Sequence, residues 1–223
     1  MKIGLVYAMT GEIESLLTQE NAQPLQTVAG VPFYQIRPDV IACAGGVSKV
    51  NAAMATQLLI SLYQPDLVLN AGVAGCFENM PIGSIVLAEG FLQHDVDTST
   101  LGDRVGLVST VNRVQFPTSD LDRARAAMDR VGVPYRTGWV ATGDWFATDT
   151  PRAHWIADTF HPLLCDMEGC ADAQVCLRNN VPFMSIKSVS DCLFEHHDFV
   201  FNFPTAMRDL NRVVMAFVDQ LEA

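Results

Sequence analysis

The sequence predicts an α/β fold: a single three-layer domain in which a mixed, mostly parallel central sheet is flanked by helices. Apolar runs of strand length recur along the chain, and stretches with helical periodicity separate them. The runs are apolar throughout, which is typical of strands buried on both faces. No repeat, low-complexity tract or linker divides the 223 residues, so we expect one domain over residues 1–223.

The predicted elements follow from these patterns in chain order. The predicted strands are residues 3–8, 40–44, 67–70, 85–93, 137–141 and 183–189, and the predicted helices are residues 12–18, 49–63, 121–131, 152–159, 169–179 and 206–221. The helix at 49–63 is apolar on nearly every side, which predicts that it is buried and closely packed. Residues 96–117 lack a clear period and are expected to form a long loop, a kind of segment that usually has a function or makes contacts.

Composition argues against several classes of partner. The formal net charge is −11, and lysine and arginine are thinly scattered. Nucleic acids and anionic membranes both require a basic surface, so neither is an expected partner. The six cysteines form no CxxC pair and most lie in apolar runs, which predicts reduced thiols. With no signal peptide and no apolar run approaching about 20 residues, we expect a cytoplasmic protein.

Four clusters occupy the position where open α/β sheets bind ligands, just beyond the carboxyl ends of the strands. They are residues 9–12 (MTGE), 70–75 (NAGVAG), 166–169 (DMEG) and 188–191 (SVSD, which includes Ser190). Three of them carry an acidic residue directly after an apolar run. The carboxylates of these three clusters are therefore candidates for a general acid and a general base on opposite sides of a scissile bond. The alternative is that Glu12 and Asp191 merely begin helices, where acidic side chains are favoured.

The glycine-rich cluster and a nearby aromatic residue point to a flat ligand. The cluster lacks the G-x-G-x-x-G turn, so we expect no dinucleotide and no other cofactor. Its small residues, with Val73, Ala74 and Gly75, let the backbone approach a ligand closely. In the sequence ATGDWF, Phe146 either stacks on a base or packs in the core, and composition alone favours the core.

Two polar segments have the composition of metal sites. They are residues 94–97 (HDVD) and 195–198 (EHHD). His94 and Asp95 would point to opposite sides of a strand, and neither an H-E-x-x-H nor a paired-cysteine spacing is present. We therefore expect no metal. The G-x-S-x-G elbow of α/β-hydrolases and the Walker A motif are also absent from the sequence.

Seven segments in register resemble the bacterial 5′-methylthioadenosine/S-adenosylhomocysteine nucleosidases of the nucleoside phosphorylase superfamily. The segments are MKIGLVYAMTGE, CAGGVSKVNAA, NAGVAG, HDVD, ATGDWF, CDMEG and SVSD, and they span nearly the whole chain. The resemblance implies a nucleoside phosphorylase-like fold. It also implies an N-glycosidase that hydrolyses 5′-methylthioadenosine and S-adenosylhomocysteine, releasing adenine and the 5-thio-substituted ribose.

The resemblance implies a role for each matching residue. Glu12 matches the glutamate that orients and deprotonates the attacking water, and Asp191 the aspartate that protonates adenine N7. Lys187 stands where many members have an arginine near the water. A lysine ammonium is a compact charge, whereas the arginine guanidinium is planar and donates two parallel hydrogen bonds. The water is therefore expected to be held more loosely here. Apolar neighbours such as Val189 and Leu193 are expected to keep the Asp191 carboxyl protonated near neutral pH.

The remaining matches describe the nucleoside pocket. Glu168 matches the glutamate that holds the ribose hydroxyls, Met167 packs on the sugar, and Phe146 stacks on adenine, which reverses the prediction from composition. Ala147 offers its backbone to the adenine edge. Residues implied to line the 5′-alkylthio pocket are Val47 and Phe201, and, from the partner subunit of a homodimer, the residues matching Thr98 and Leu101.

The chain also departs from the family pattern, and other functions stay open at this point. Thr10 and Gly11 replace acidic residues before Glu12, and Val73 replaces a serine of some members. Alternatives in the superfamily are a futalosine-type nucleoside hydrolase and a purine nucleoside phosphorylase, although phosphate would meet Glu12 and few basic residues. A non-catalytic nucleoside-binding protein is a third alternative, but binding alone needs no acid–base pair.

Overall fold

The computed structural model describes residues 1–195 and 199–222, and for residues 199–201 and 222 only the backbone. The described residues form ten strands. The strands are β1 (Ile3–Tyr7), β2 (Gln23–Val28), β3 (Val31–Arg37), β4 (Val40–Ala44), β5 (Leu67–Cys76), β6 (Ile85–Gln93), β7 (Gln115–Pro117), β8 (Tyr135–Thr142), β9 (Leu164–Asp166) and β10 (Phe183–Cys192). The helices are α1 (Thr10–Gln19), α2 (Lys49–Tyr63), α3 (Leu121–Val131), α4 (Pro151–Phe160), α5 (Gly169–Asn179), α6 (Phe199–Met207) and α7 (Leu210–Glu222).

The strands form one mixed sheet that closes on itself at one end. Strand β1 pairs in parallel with β4 and β5, and β5 pairs in parallel with β10. A closed circuit then runs from β10 through β6, β8 and β9 back to β5. The open end continues through β4, β3 and β2. This closure brings the ends of β5, β8, β9 and β10 together around one space.

Helices cover both faces of the sheet and make the three layers. Helices α1, α3 and α7 bury apolar side chains against one face, including Ile13, Met128 and Phe217. Helices α2 and α5 pack on the other face through residues such as Leu59 and Cys176. Removing these apolar side chains from water is the main force that holds the layers together. The predicted α/β fold, with a mixed sheet flanked by helices, is confirmed.

The elements that the sequence missed are short or polar. Strand β2 is exposed along nearly its whole length, and β7 and β9 have three residues each, so none carries a long apolar run. The single helix predicted at 206–221 is two helices, α6 and α7. Helices α2, α3 and α5 have the predicted bounds. The predicted loop at 96–117 contains two short 3-10 turns and β7.

Helix α2, which is predicted to be buried and closely packed, is buried on only one face in the single chain. Ala55 and Leu59 are fully buried, but Val50 is 75% exposed and Leu62 is 43% exposed. An apolar helix sequence does not show whether its second face meets the same chain or another one. No helix in the described part of the chain is long and apolar enough to cross a membrane.

Candidate active site

A cavity of about 660 Å³, counted with its open mouth, lies where the sheet closes. Most residues that line it are at or just beyond the carboxyl ends of β1, β4, β5, β8, β9 and β10, where α/β sheets bind ligands. It brings together the predicted residues Glu12, Val47, Val73, Ala74, Gly75, Phe146, Ala147, Met167, Glu168, Ser190 and Asp191. The lining residues to which the sequence assigned no role are Ala8, Met9, Trp145, Cys165 and Asp166.

Glu12 is buried at the first turn of α1 and is held by backbone donors. Its Oε2 accepts hydrogen bonds from the N–H groups of Ala8 (3.1 Å) and Met9 (2.9 Å), and its Oε1 accepts one from Val73 (2.9 Å). The side chain therefore does cap the helix start, and it also faces the cavity. Burial raises the pKa of the Glu12 carboxyl, while the backbone donors and Lys187 hold the rise back.

The carboxylate also depends on the absence of a side chain at Gly72. A Cβ atom at that position would lie 2.6 Å from Glu12 Oε1. Behind Glu12, the buried amide of Asn211 donates to the Glu12 backbone oxygen over 2.7 Å and accepts from the Tyr7 hydroxyl over 2.8 Å. Helix α7 thus supports the turn that carries Glu12.

Lys187 lies beneath the cavity in β10 and does not line it. Its Nζ is 2.9 Å from Asp166 Oδ2, and both side chains are almost completely buried. Burial lowers the pKa of the lysine, but Asp166, Glu168 and Glu12 raise it more, so that the net shift is upward. The lysine is therefore a fixed positive charge below three acidic side chains.

Glu168 closes the other side of the cavity. Its Oε1 accepts a hydrogen bond from the N–H of Ser48 (2.9 Å), a residue whose φ of 99° is rarely adopted by a residue with a side chain. Burial, with the neighbouring charge of Asp166 and despite Lys187, raises the pKa of Glu168 to about 8. With this pKa the group holds its proton at neutral pH.

Asp191 is half-buried on β10, where the pairing with β5 slips between Val189 and Asp191. The Ser190 hydroxyl donates to Asp191 Oδ1 over 2.7 Å. Gly75 leaves room for the other oxygen, since a Cβ there would be 3.1 Å from Asp191 Oδ2. The apolar neighbours Val189 and Leu193 are buried, as the sequence suggested.

Two clusters lie inside strands rather than after them, which corrects the predicted strand ends. Strand β5 runs through the glycine-rich segment to Cys76, and β10 runs through Ser190 and Asp191 to Cys192. The two strands pair along this whole length, with Cys76 opposite Cys192. Small and polar residues end an apolar run in the sequence, but strand pairing continues through them.

The mouth of the cavity carries exposed apolar side chains. Phe146 is 51% exposed and Val47 is 41% exposed, so the core packing that composition favoured for Phe146 is wrong. Trp145, next to it, has the Arg152 guanidinium 4.7 Å from its ring centre. Trp145 lies within the segment ATGDWF, and Cys165 and Asp166 lie within CDMEG, so membership of these segments was the available signal.

Three predicted residues do not line the cavity of the described chain. Thr98 donates to Asp103 Oδ2 over 2.7 Å, and Leu101 is 82% exposed. Lys187 lies beneath the floor, as described above. The side chain of Phe201 lies outside the described residues.

The two polar segments suggested as metal sites make no such cluster where they are described. Among the described residues, no three His, Cys, Asp or Glu side chains could hold an ion together. His94 is buried against Gly143, where a Cβ would lie 2.3 Å from the imidazole. Burial lowers the pKa of His94. Residues 196–198 of the second segment lie outside the described residues.

Comparison with known proteins places this site in a family. The family model described as the phosphorylase superfamily matches residues 2–219 of the chain. The 5′-methylthioadenosine/S-adenosylhomocysteine nucleosidase of Shewanella loihica is 37% identical, and the match covers 86% of each chain.

Solved structures have the same fold. That of the corresponding nucleosidase from Colwellia psychrerythraea, in complex with adenine, is 31% identical, with a TM-score of 0.89 over 99% of this chain and 96% of the other. The futalosine hydrolase of Helicobacter pylori has a TM-score of 0.91 over 99% and 98% of the two chains. At 23% identity it shows the fold alone.

The raised pKa of Glu168 predicts how the stability of the ligand-free protein depends on pH. The folded state keeps a proton up to about pH 8, whereas the unfolded chain releases it near the ordinary value of 4.5. The stability that this proton contributes is therefore present in acid and lost as the pH rises through 8. Glu168→Gln cannot ionise, so the drop in melting temperature between pH 6 and pH 9 should be smaller in this variant than in wild type.

The matched control is Glu14→Gln, at an exposed position of α1. It should keep the wild-type drop, and thermal melts by circular dichroism measure all three proteins. An equal drop in wild type and Glu168→Gln would contradict the assignment of this proton to Glu168.

Proposed function

Because the chain belongs to the phosphorylase superfamily, and within it to the family of the 5′-methylthioadenosine/S-adenosylhomocysteine nucleosidases, we propose that it hydrolyses the N-glycosidic bond of these two nucleosides. The products are adenine and the 5-thio-substituted ribose. The observation that carries the proposal is that one cavity brings Glu12, Glu168 and Asp191 together beside the exposed ring of Phe146. The first two acids serve the sugar side, and the third serves the base.

On the base side, Asp191 acts as the general acid. As the glycosidic bond breaks, negative charge builds on the leaving adenine, and a proton delivered to N7 neutralises it. A positioned acid of this kind typically contributes about 10²–10⁴-fold to the rate. Ser190 fixes one oxygen of the carboxyl group, and the absence of a side chain at Gly75 leaves space beside the other. Phe146 offers its face for stacking on the base.

On the sugar side, Glu12 in its ionised form orients the water and favours the positive charge that develops on the ribose. A carboxylate has about four lone-pair sites. Three backbone N–H groups bind to Glu12, which leaves a site for the water. Lys187 acts from below by keeping the acidic floor partly neutralised, and Glu168 binds the ribose hydroxyls.

Hydrolysis is favoured over phosphorolysis by the charge of the cavity. None of the described residues that line it is a lysine or an arginine, and Glu12, which acts in its ionised form at the attacking face, would repel an anion. A phosphate nucleophile needs arginine or free backbone donors at the attacking face. Here the donors nearest that face already bind to Glu12.

We further propose that the enzyme is a two-fold symmetric homodimer. Leu101, Val50 and Leu62 are 82%, 75% and 43% exposed, and apolar side chains of this size are usually covered by a partner. In the dimer, α2 and the 96–101 segment meet the partner, and Thr98 and Leu101 complete the 5′ pocket of the neighbouring subunit. We also propose a cytoplasmic location, since all six cysteines are buried free thiols, and a single nucleosidase domain over residues 1–223.

The reaction type is tested with the purified protein in phosphate-free buffer. We expect release of adenine from 5′-methylthioadenosine and from S-adenosylhomocysteine, each with an equal amount of free sugar, measured by chromatography. Adenine release that requires phosphate and yields the sugar 1-phosphate would identify a phosphorylase instead. A futalosine-type nucleoside is assayed in parallel, and turnover of that substrate alone would favour the futalosine hydrolase alternative.

Asp191→Asn tests the acid. The amide preserves the shape of the side chain but cannot deliver a proton, so kcat should fall by about 10² or more while nucleoside binding survives. Steady-state kinetics and calorimetry give the two quantities. Asp209→Asn, at a largely exposed aspartate that forms an ion pair with Arg212, is the control and should retain wild-type kcat. An Asp191→Asn enzyme with near wild-type turnover would remove this residue from the mechanism.

Leu101→Asp tests the dimer and its shared pocket together. A charge at the centre of an apolar contact should weaken association, and the incomplete 5′ pocket should raise KM. Sedimentation at micromolar concentration measures the first effect and steady-state kinetics the second. Arg104→Asp, which changes charge in the same loop at a polar position, is the comparison. A fully active monomer in the wild type would contradict both parts of the proposal.

A further inference from the structure

Three loops around the cavity carry polar residues that do not line it. Lys49 follows the loop that leads from β4 into α2, Asp95 follows β6, and Asp144 follows β8. Each loop also carries a residue of the proposed site close to its polar residue. Val47 lies in the first, Thr98 in the second, and Phe146 in the third.

The three polar residues form a closed ring of hydrogen bonds. The Lys49 ammonium donates to Asp95 Oδ1 over 2.6 Å. The Asp144 N–H donates to Asp95 Oδ2 over 2.9 Å, and the Lys49 N–H donates to Asp144 Oδ1 over 2.8 Å. Each member therefore binds to both others, although the three are far apart in the sequence.

We propose that Lys49, Asp95 and Asp144 are positioning residues, and that their ring holds the sugar-binding and base-binding loops in the spacing that a purine nucleoside requires. The proposal rests on the proposed nucleosidase function and deepens it. The ring residues touch neither base nor sugar. They act through Ser48, whose N–H binds to Glu168, and through Phe146.

The position of the ring in each loop supports this role. The Lys49 and Asp95 side chains are only 19% and 18% exposed, so the ion pair is partly shielded from solvent. Ser48 directly precedes Lys49 and has a strained φ of 99°, a conformation that persists only when its surroundings hold it. On the third loop, Gly143 is packed against His94 directly before Asp144. A loop held in its binding conformation in advance loses less freedom when substrate binds, so loosening these loops weakens substrate affinity.

The ring is tested first without substrate, by hydrogen exchange of backbone amides in the ligand-free wild type and in Asp95→Asn. One acceptor of Asp95 is lost in this variant, so the Asp144 amide should exchange faster. The Lys49 amide donates to Asp144 and not to Asp95. If the three residues form a ring, the loss at Asp95 also loosens Asp144, so the Lys49 amide should exchange about tenfold faster as well. The Val73 amide, which binds to Glu12, should keep its rate.

The second readout is kinetic. Loosened loops weaken nucleoside binding more than they slow the chemical step. Asp95→Asn should therefore raise KM for the nucleoside about tenfold, while kcat changes by less than about threefold. Asp144→Ala, at an exposed residue whose replacement is compatible with folding, should have the same effect. The double variant should be no worse than the more impaired single variant, because either change opens the same ring.

The control is Glu20→Gln, which breaks a 2.9 Å ion pair with Arg37 away from the cavity. It should leave the amide exchange and KM unchanged. The proposal would be overturned if the exchange rate of the Lys49 amide were unchanged in Asp95→Asn. It would also be overturned if the increases in KM of the two single variants multiplied in the double variant. A wild type that releases no adenine would contradict the proposed function instead, while the exchange experiment would still decide whether the ring exists.

Discussion

The buried ion pair between Lys187 and Asp166 is the contact on which the geometry of the site depends. Asp166 ends β9, and it also accepts hydrogen bonds from the Thr142 hydroxyl (2.6 Å) at the end of β8 and from the N–H of Gly169 (3.0 Å) at the start of α5. One carboxylate thus joins two strands, a helix and the lysine of β10. Removal of either charge would leave the other buried without compensation, which is strongly destabilising.

This pair leaves the interior short of positive charge. Lys187 is the one buried lysine or arginine among the described residues, and it faces Glu12 and Glu168 as well as Asp166. Burial raises the pKa of Glu12, of Glu168 to about 8, and of Asp172 to about 7. A cavity with this deficit binds neutral or cationic groups better than anions. It is suited to a reaction in which positive charge develops on a sugar.

Strand β5 sets the distance between Glu12 and Asp191, the proposed base and the proposed acid. It approaches both residues without side chains. Gly72 lies against Glu12, and Gly75 lies against Asp191 and Leu193. Since β5 pairs with β1, β9 and β10, its backbone is held from several sides. The two carboxyl groups are therefore placed by a rigid strand, while the loops at the mouth admit the substrate.

The sequence by itself determined the fold class, the long apolar strands, the bounds of α2, α3 and α5, and most of the cavity lining, because apolar period and motif order are local properties of the chain. It did not determine the exposed strand β2, the continuation of β5 and β10 through their polar ends, or the exposure of one face of α2. Only the tertiary structure decided these, and it alone paired Lys187 with Asp166 and joined Lys49, Asp95 and Asp144. Such contacts link residues distant in the sequence, and they form where strand pairing and loop closure bring complementary charges within hydrogen-bonding distance.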